Sequence, residues 1–168
     1  MSLAPTTPYS GALAGREPLI AMHDAVARVE VITDSWSATD FERSYAPGKW
    51  SARLVLVHLA QTEIALGFRA RMTLATPNYT SMNFDQDAWL SGEQATDAAT
   101  ARQAFVALSR LNQRFFAGLS RAQLDTTLTH PQYGPLTVDW ILHQMAGHYW
   151  HHLAQLEQIA KSSRSVFG

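Results

Sequence analysis

Cysteine is missing from the 168 residues altogether. That absence excludes disulfides, thiolate-bound zinc and any chemistry carried by a thiol of the chain itself. It fits a reducing compartment, and a cytoplasmic location is the expectation. An excess of either charge is missing too: 13 Lys and Arg stand against 14 Asp and Glu, for a formal net charge of −1. A chain so balanced lacks the electrostatic footprint of a nucleic-acid or anionic-lipid binder, so neither nucleic acid nor membrane is an expected partner. No apolar run approaches the length of a membrane span. The start, Met1 to Gly15, has neither a basic opening nor a continuous apolar stretch, so no secretory signal is expected there.

What the chain does have is apolar content, 46% of its residues, enough for a core without covalent staples. Pro5, Pro8, Gly11 and Gly15 break up residues 1–15, which read as a flexible arm whose removal should leave the fold intact. From about Arg16 apolar residues recur at helical spacing, with Pro18 in the first turn of a helix that runs to about Thr33. Pro47-Gly48 marks a turn, and Ser51 then caps a second helix that stops by Thr76, because Pro77 disfavours helix before it. Residues 77–95 read as a long loop with room for one short helix, and loops of this length are often functional. A third helix covers Asp97 to about Leu119, and Ser120 caps a short turn after it. The polar stretch Asp125 to Thr137 shows no strand-like alternation of useful length. Thr137 opens a last helix ending near Lys161, which leaves 162–168 as a tail. The expected architecture is all-α: a four-helix bundle over 16–161 with a long loop between its second and third helices.

Four of the seven histidines crowd into His143 to His152. His148 and His152 are four apart on the last helix, so their rings leave the same face and can share one ion. No glutamate lies between them, which removes the metalloprotease reading. A third ligand must come from another element, and His58 is the candidate, flanked by Leu54, Val55 and Leu59 on an apolar stripe where an unpaired imidazole is awkward. Three imidazoles suit zinc, nickel or a similar ion and leave coordination positions open. Spacing alone equally accommodates histidines that donate to carbonyls or face solvent.

The run Pro47-Gly48-Lys49-Trp50-Ser51 leading to His58-Leu59-Ala60-Gln61-Thr62-Glu63 resembles the first signature of the DinB/YfiT-like superfamily. Gly134-Pro135-Leu136-Thr137 leading to His148-Tyr149-Trp150-His151-His152-Leu153-Ala154-Gln155 resembles the second. The resemblance covers about residues 16–161. It implies a four-helix bundle, often a homodimer, with one divalent metal ion on His58, His148 and His152. Zinc or nickel comes first, and iron, manganese or copper are alternatives. Characterised relatives include thiol transferases and mycothiol-dependent isomerases. The resemblance therefore implies a metal-dependent enzyme transferring a low-molecular-weight thiol to a small electrophile, the thiol coming from a co-substrate. Hydrolysis by the same ion is an alternative, and so is a non-catalytic metal- or ligand-binding bundle. His151, beside the ligand face, is the candidate proton shuttle and equally reads as an exposed histidine. Gln144 and Gln155 are placed to orient ligands. Arg53, Arg69 and Arg71 could hold carboxylates of the co-substrate, although a solvated helix face is the plainer reading.

Overall fold

The computed structural model describes residues 4–164, so the expected tail lies outside the described residues from 165 onward. Eight helices and one hairpin follow in order: α1 (Ser10–Leu13), α2 (Pro18–Thr33), α3 (Ala38–Phe41), α4 (Ala52–Ala75), α5 (Gln86–Gly92), α6 (Ala98–Ala117), α7 (Arg121–Leu124), β1 (Thr127–His130), β2 (Gly134–Thr137) and α8 (Val138–Arg164). The four long helices form the expected bundle. Both α2 and α4 pack against both α6 and α8, so α2 and α4 reach the centre from different sides. Met22, Leu56, Phe105 and Met145, one from each helix, are fully enclosed there.

Side-chain caps set where the helices begin. Glu17 accepts from Ile20 N ahead of Pro18, Ser51 Oγ accepts from Leu54 N, and Asp97 accepts from Thr100 N. Thr137 Oγ1 accepts from Trp140 N at 3.0 Å and opens α8. Among the described residues no helix is long and apolar enough to cross a membrane.

Two expectations need correction. Residues 7–13 are not a loose arm: Thr7 and Leu13 are buried, and α1 packs against α8. The anchor is tertiary, since Trp140 Nε1 donates to Thr6 O at 3.0 Å. A Cβ on Gly147 would also come within 2.6 Å of Tyr9 O, so glycine is what lets the two backbones approach. The polar stretch after α7 is a hairpin rather than an irregular loop. Its strands pair antiparallel from Thr127↔Thr137 to His130↔Gly134, and Gly134, the first residue after the turn, takes φ 71°, a left-handed backbone that glycine adopts without strain. The long loop after α4 is tied to this hairpin: Ser81 N donates to Thr129 O and Thr129 N to Tyr79 O. That pairing folds the loop over one end of α4.

Candidate metal centre

An ordinary bundle helix buries leucine; α4 also buries His58, Gln61, Thr62, Glu63 and Arg69. Polar groups at such cost to desolvation need partners, and for His58 the partners are other histidines. Its Nε2 lies 2.9 Å from His148 Nε2, and His148 Nε2 lies 2.9 Å from His152 Nε2. All three rings are buried, and their nitrogens lie within 4.8 Å of one another. The i, i+4 spacing on α8 presents two of them, and the packing of α4 on α8 supplies the third.

Burial keeps the trio neutral. It pushes His58 down to about 4 and His152 to about 3, and His148, enclosed completely, lies well below the ordinary imidazole range. Neutral rings offer lone pairs. His152 Nδ1 is 2.8 Å from Gln155 Oε1, so Nδ1–H is donated outward and Nε2 is a lone pair facing in. His148 can aim one Nε2–H at only one neighbour, which leaves lone pairs facing each other at 2.9 Å. One cation accepts all three lone pairs, so the residues fit a divalent ion. Behind the rings, His58 Nδ1 and His148 Nδ1 are buried without a hydrogen bond, as are the amide atoms of Gln61 and Gln144 Oε1. Gln61 stands three residues after His58, as Gln155 does after His152.

Two cavities meet at the trio. The larger, about 330 Å³, includes Tyr45, Trp50, His151 and His152 in its lining. The smaller, about 190 Å³, includes Thr62, Leu66, Arg69, His130 and His148. His58 and Tyr9 line both. Aromatic rings collar the histidines: Trp50 lies 4.9 Å from the His58 ring and Tyr9 lies 5.1 Å from His148, centroid to centroid.

The family model of the DinB superfamily matches residues 21–156. The chain belongs to this superfamily. Among its relatives, two Oceanobacillus iheyensis proteins are each named "putative metal-dependent hydrolase". One is 25% identical over 154 residues, covering 86% of this chain and 87% of that protein. The other is 24% identical over 123 residues, covering 71% and 70%. By structure, the chain is similar to YfiT from Bacillus subtilis, described as "a probable metal-dependent hydrolase with an unusual four-helix bundle topology". The TM-score is 0.79 at 16% identity, over 98% of this chain and 93% of that one. It is also similar to a mycothiol-dependent maleylpyruvate isomerase, with TM-score 0.71 at 13% identity, over 93% of this chain and 63% of that one. These structural likenesses show the fold alone.

Within that fold His151, the aromatic residues and the three arginines scatter. His151 is exposed at the mouth of the larger cavity, its ring 4.9 Å from that of His152. Trp50 lines the same cavity, whereas Tyr149 is core, packed edge-on against Phe105. Trp150 donates to Ala21 O and stacks under Arg16. Trp89 is half exposed against Phe84. The three arginines separate as well. Arg53 pairs with Glu42, Arg71 donates to Asn112 Oδ1 and Gly67 O, and Arg69 alone lines a cavity. Tyr9 is the site residue that sequence reasoning missed. The available signal was Gly147, a glycine inside a helical pattern, which often marks a close backbone approach.

Proposed function

We propose that His58, His148 and His152 hold one divalent ion, zinc or nickel before iron, manganese or copper. On this reading the protein is a metal-dependent enzyme that transfers a low-molecular-weight thiol to a small electrophile. The observation that carries the reading is the pair of cavities meeting at the trio: a transfer needs two organic substrates, and hydrolysis needs only one. Three imidazoles leave positions of an ion open, and an ion held so is a Lewis acid that lowers the pKa of a thiol or water bound to it. The chain's own residues do the rest. The cavities seat thiol and electrophile on either side of the histidines, while Trp50 and Tyr9 limit the access of water. Sulfur bonds to carbon as the carbon–leaving-group bond breaks, and the leaving group departs with its electron pair. The thiol proton passes to His151, whose pKa is lowered by the part of its ring that is covered.

Assaying metal-loaded protein with bacillithiol, glutathione or mycothiol plus an aryl halide, beside ester and amide panels, tests this. Thiol-dependent turnover is expected, lost with a chelator and restored by zinc. His151→Gln should lower kcat by about a hundredfold with the metal retained. A second reading, hydrolysis, is favoured by the names of the Oceanobacillus relatives. Turnover of an ester or amide without any thiol would put it first.

A further inference from the structure

Arg69 is a cation without an anion. Its residue is 7% exposed, its NH2 donates to Met82 O at 2.9 Å, and among the described residues no carboxylate forms an ion pair with it. Charges buried to this degree are normally paired. Its place on α4 is not incidental. Arg69 follows His58 by eleven residues, which is three helical turns within about 20°. Both side chains therefore leave one face, with Thr62 and Leu66 between them, and all four line the smaller cavity. Helical side chains lean toward the N-terminus, which carries the guanidinium back toward the histidines.

The hairpin supplies a second donor to the same cavity. His130 Nδ1 accepts from Gln132 N at 3.1 Å, so in the neutral ring the proton sits on Nε2. The ring is neutral because burial, and then the charge of Arg69, disfavour a second proton. Among the described residues Nε2 has no hydrogen-bond partner, and the ring lines the cavity.

We infer that the smaller cavity seats its substrate by a carboxylate, held between the Arg69 guanidinium and His130 Nε2–H, with the reacting end toward the three histidines. One full positive charge with neutral donors around it suits a monoanion; a phosphate dianion would be left half compensated. The cavity then belongs to a small carboxylated electrophile and the larger one to the thiol. This assignment of roles rests on the proposed two-substrate reaction, whereas the anion site rests on the surroundings of Arg69 alone.

The experiment uses benzoate and benzamide, which differ mainly in charge, and inorganic phosphate, each titrated into metal-free and metal-loaded protein and followed by the NMR signals of the His130 ring. Benzoate is expected to bind saturably in both forms, and benzamide at least about tenfold more weakly. Arg69→Gln should lose about tenfold or more for benzoate, and Arg69→Lys, which keeps the charge, should lose less. Equal binding of benzoate and benzamide, an unchanged Arg69→Gln, or a benzoate response only in metal-loaded protein would overturn the anion site. Tighter binding of phosphate than of benzoate would overturn the choice of carboxylate. A protein that takes up no metal yet binds benzoate through Arg69 would sink the proposed reaction and leave the anion site standing.

Discussion

Zinc added to metal-free protein should raise its melting temperature by on the order of 10 °C, and His148→Ala should abolish that rise. A ligand that binds only the folded state at about a thousand times its Kd contributes about 4 kcal/mol. In a chain of this size each kcal/mol moves the midpoint by about 2–4 °C. His148 is the decisive position because its Nε2 touches both other rings, so alanine leaves two imidazoles that no longer share a neighbour. Alanine also empties buried space and lowers stability by itself. The informative quantity is therefore the difference that zinc makes within each protein, read by calorimetry. A variant that keeps the full zinc-dependent rise would place the ion elsewhere.

The second large effect concerns a carboxyl behind the site. Glu63 is fully enclosed in α4, and Asn112 Nδ2 donates to its Oε2 at 2.8 Å. Arg71 in turn donates to Asn112 Oδ1 at 2.7 Å. Burial pushes Glu63 up to about 7 from an ordinary 4.5, against the opposing pull of the neighbouring Tyr149 hydroxyl, the Asn112 hydrogen bond and the Arg71 charge. Because the folded value is the higher one, the stability it contributes is complete below about 4.5 and is lost as pH rises through about 7. A gap of that size corresponds to about 3 kcal/mol. Glu63→Gln keeps an acceptor for Asn112 and never ionises. Urea unfolding should therefore show the variant close to wild type at pH 5 and about 3 kcal/mol more stable at pH 8. Equal destabilisation at both pH values would mean that Arg71 compensates the charge in full.

Most of the bundle was legible because its signals are local. Ser51 and Thr137 stand where caps were expected, the third helix starts one residue after Asp97, and Pro77 closes α4 after Ala75. The convergence of His58 with His148 and His152 was legible from i, i+4 spacing on one helix and an imidazole stranded on the apolar stripe of another. What escaped depends on contacts between distant segments. The strands Thr127–His130 and Gly134–Thr137 are four residues each, too short for alternation to stand out from a polar loop. Prolines and glycines made residues 1–15 look loose, yet Trp140 and the missing side chain of Gly147 hold Thr6 and Tyr9 down. Arg69 looked solvated on a helical wheel, since nothing in its neighbourhood reveals that residues 79–84 return to cover it. The same covering loop turns a surface cation into a wall of the smaller cavity.

Elemental analysis of untagged protein, purified without added metal, beside His58→Ala tests the central claim most directly. About one divalent ion per chain in the wild type, lost in the variant, is the predicted result. No metal in the wild type and none taken up on titration with zinc or nickel, or a full equivalent retained by His58→Ala, would contradict it.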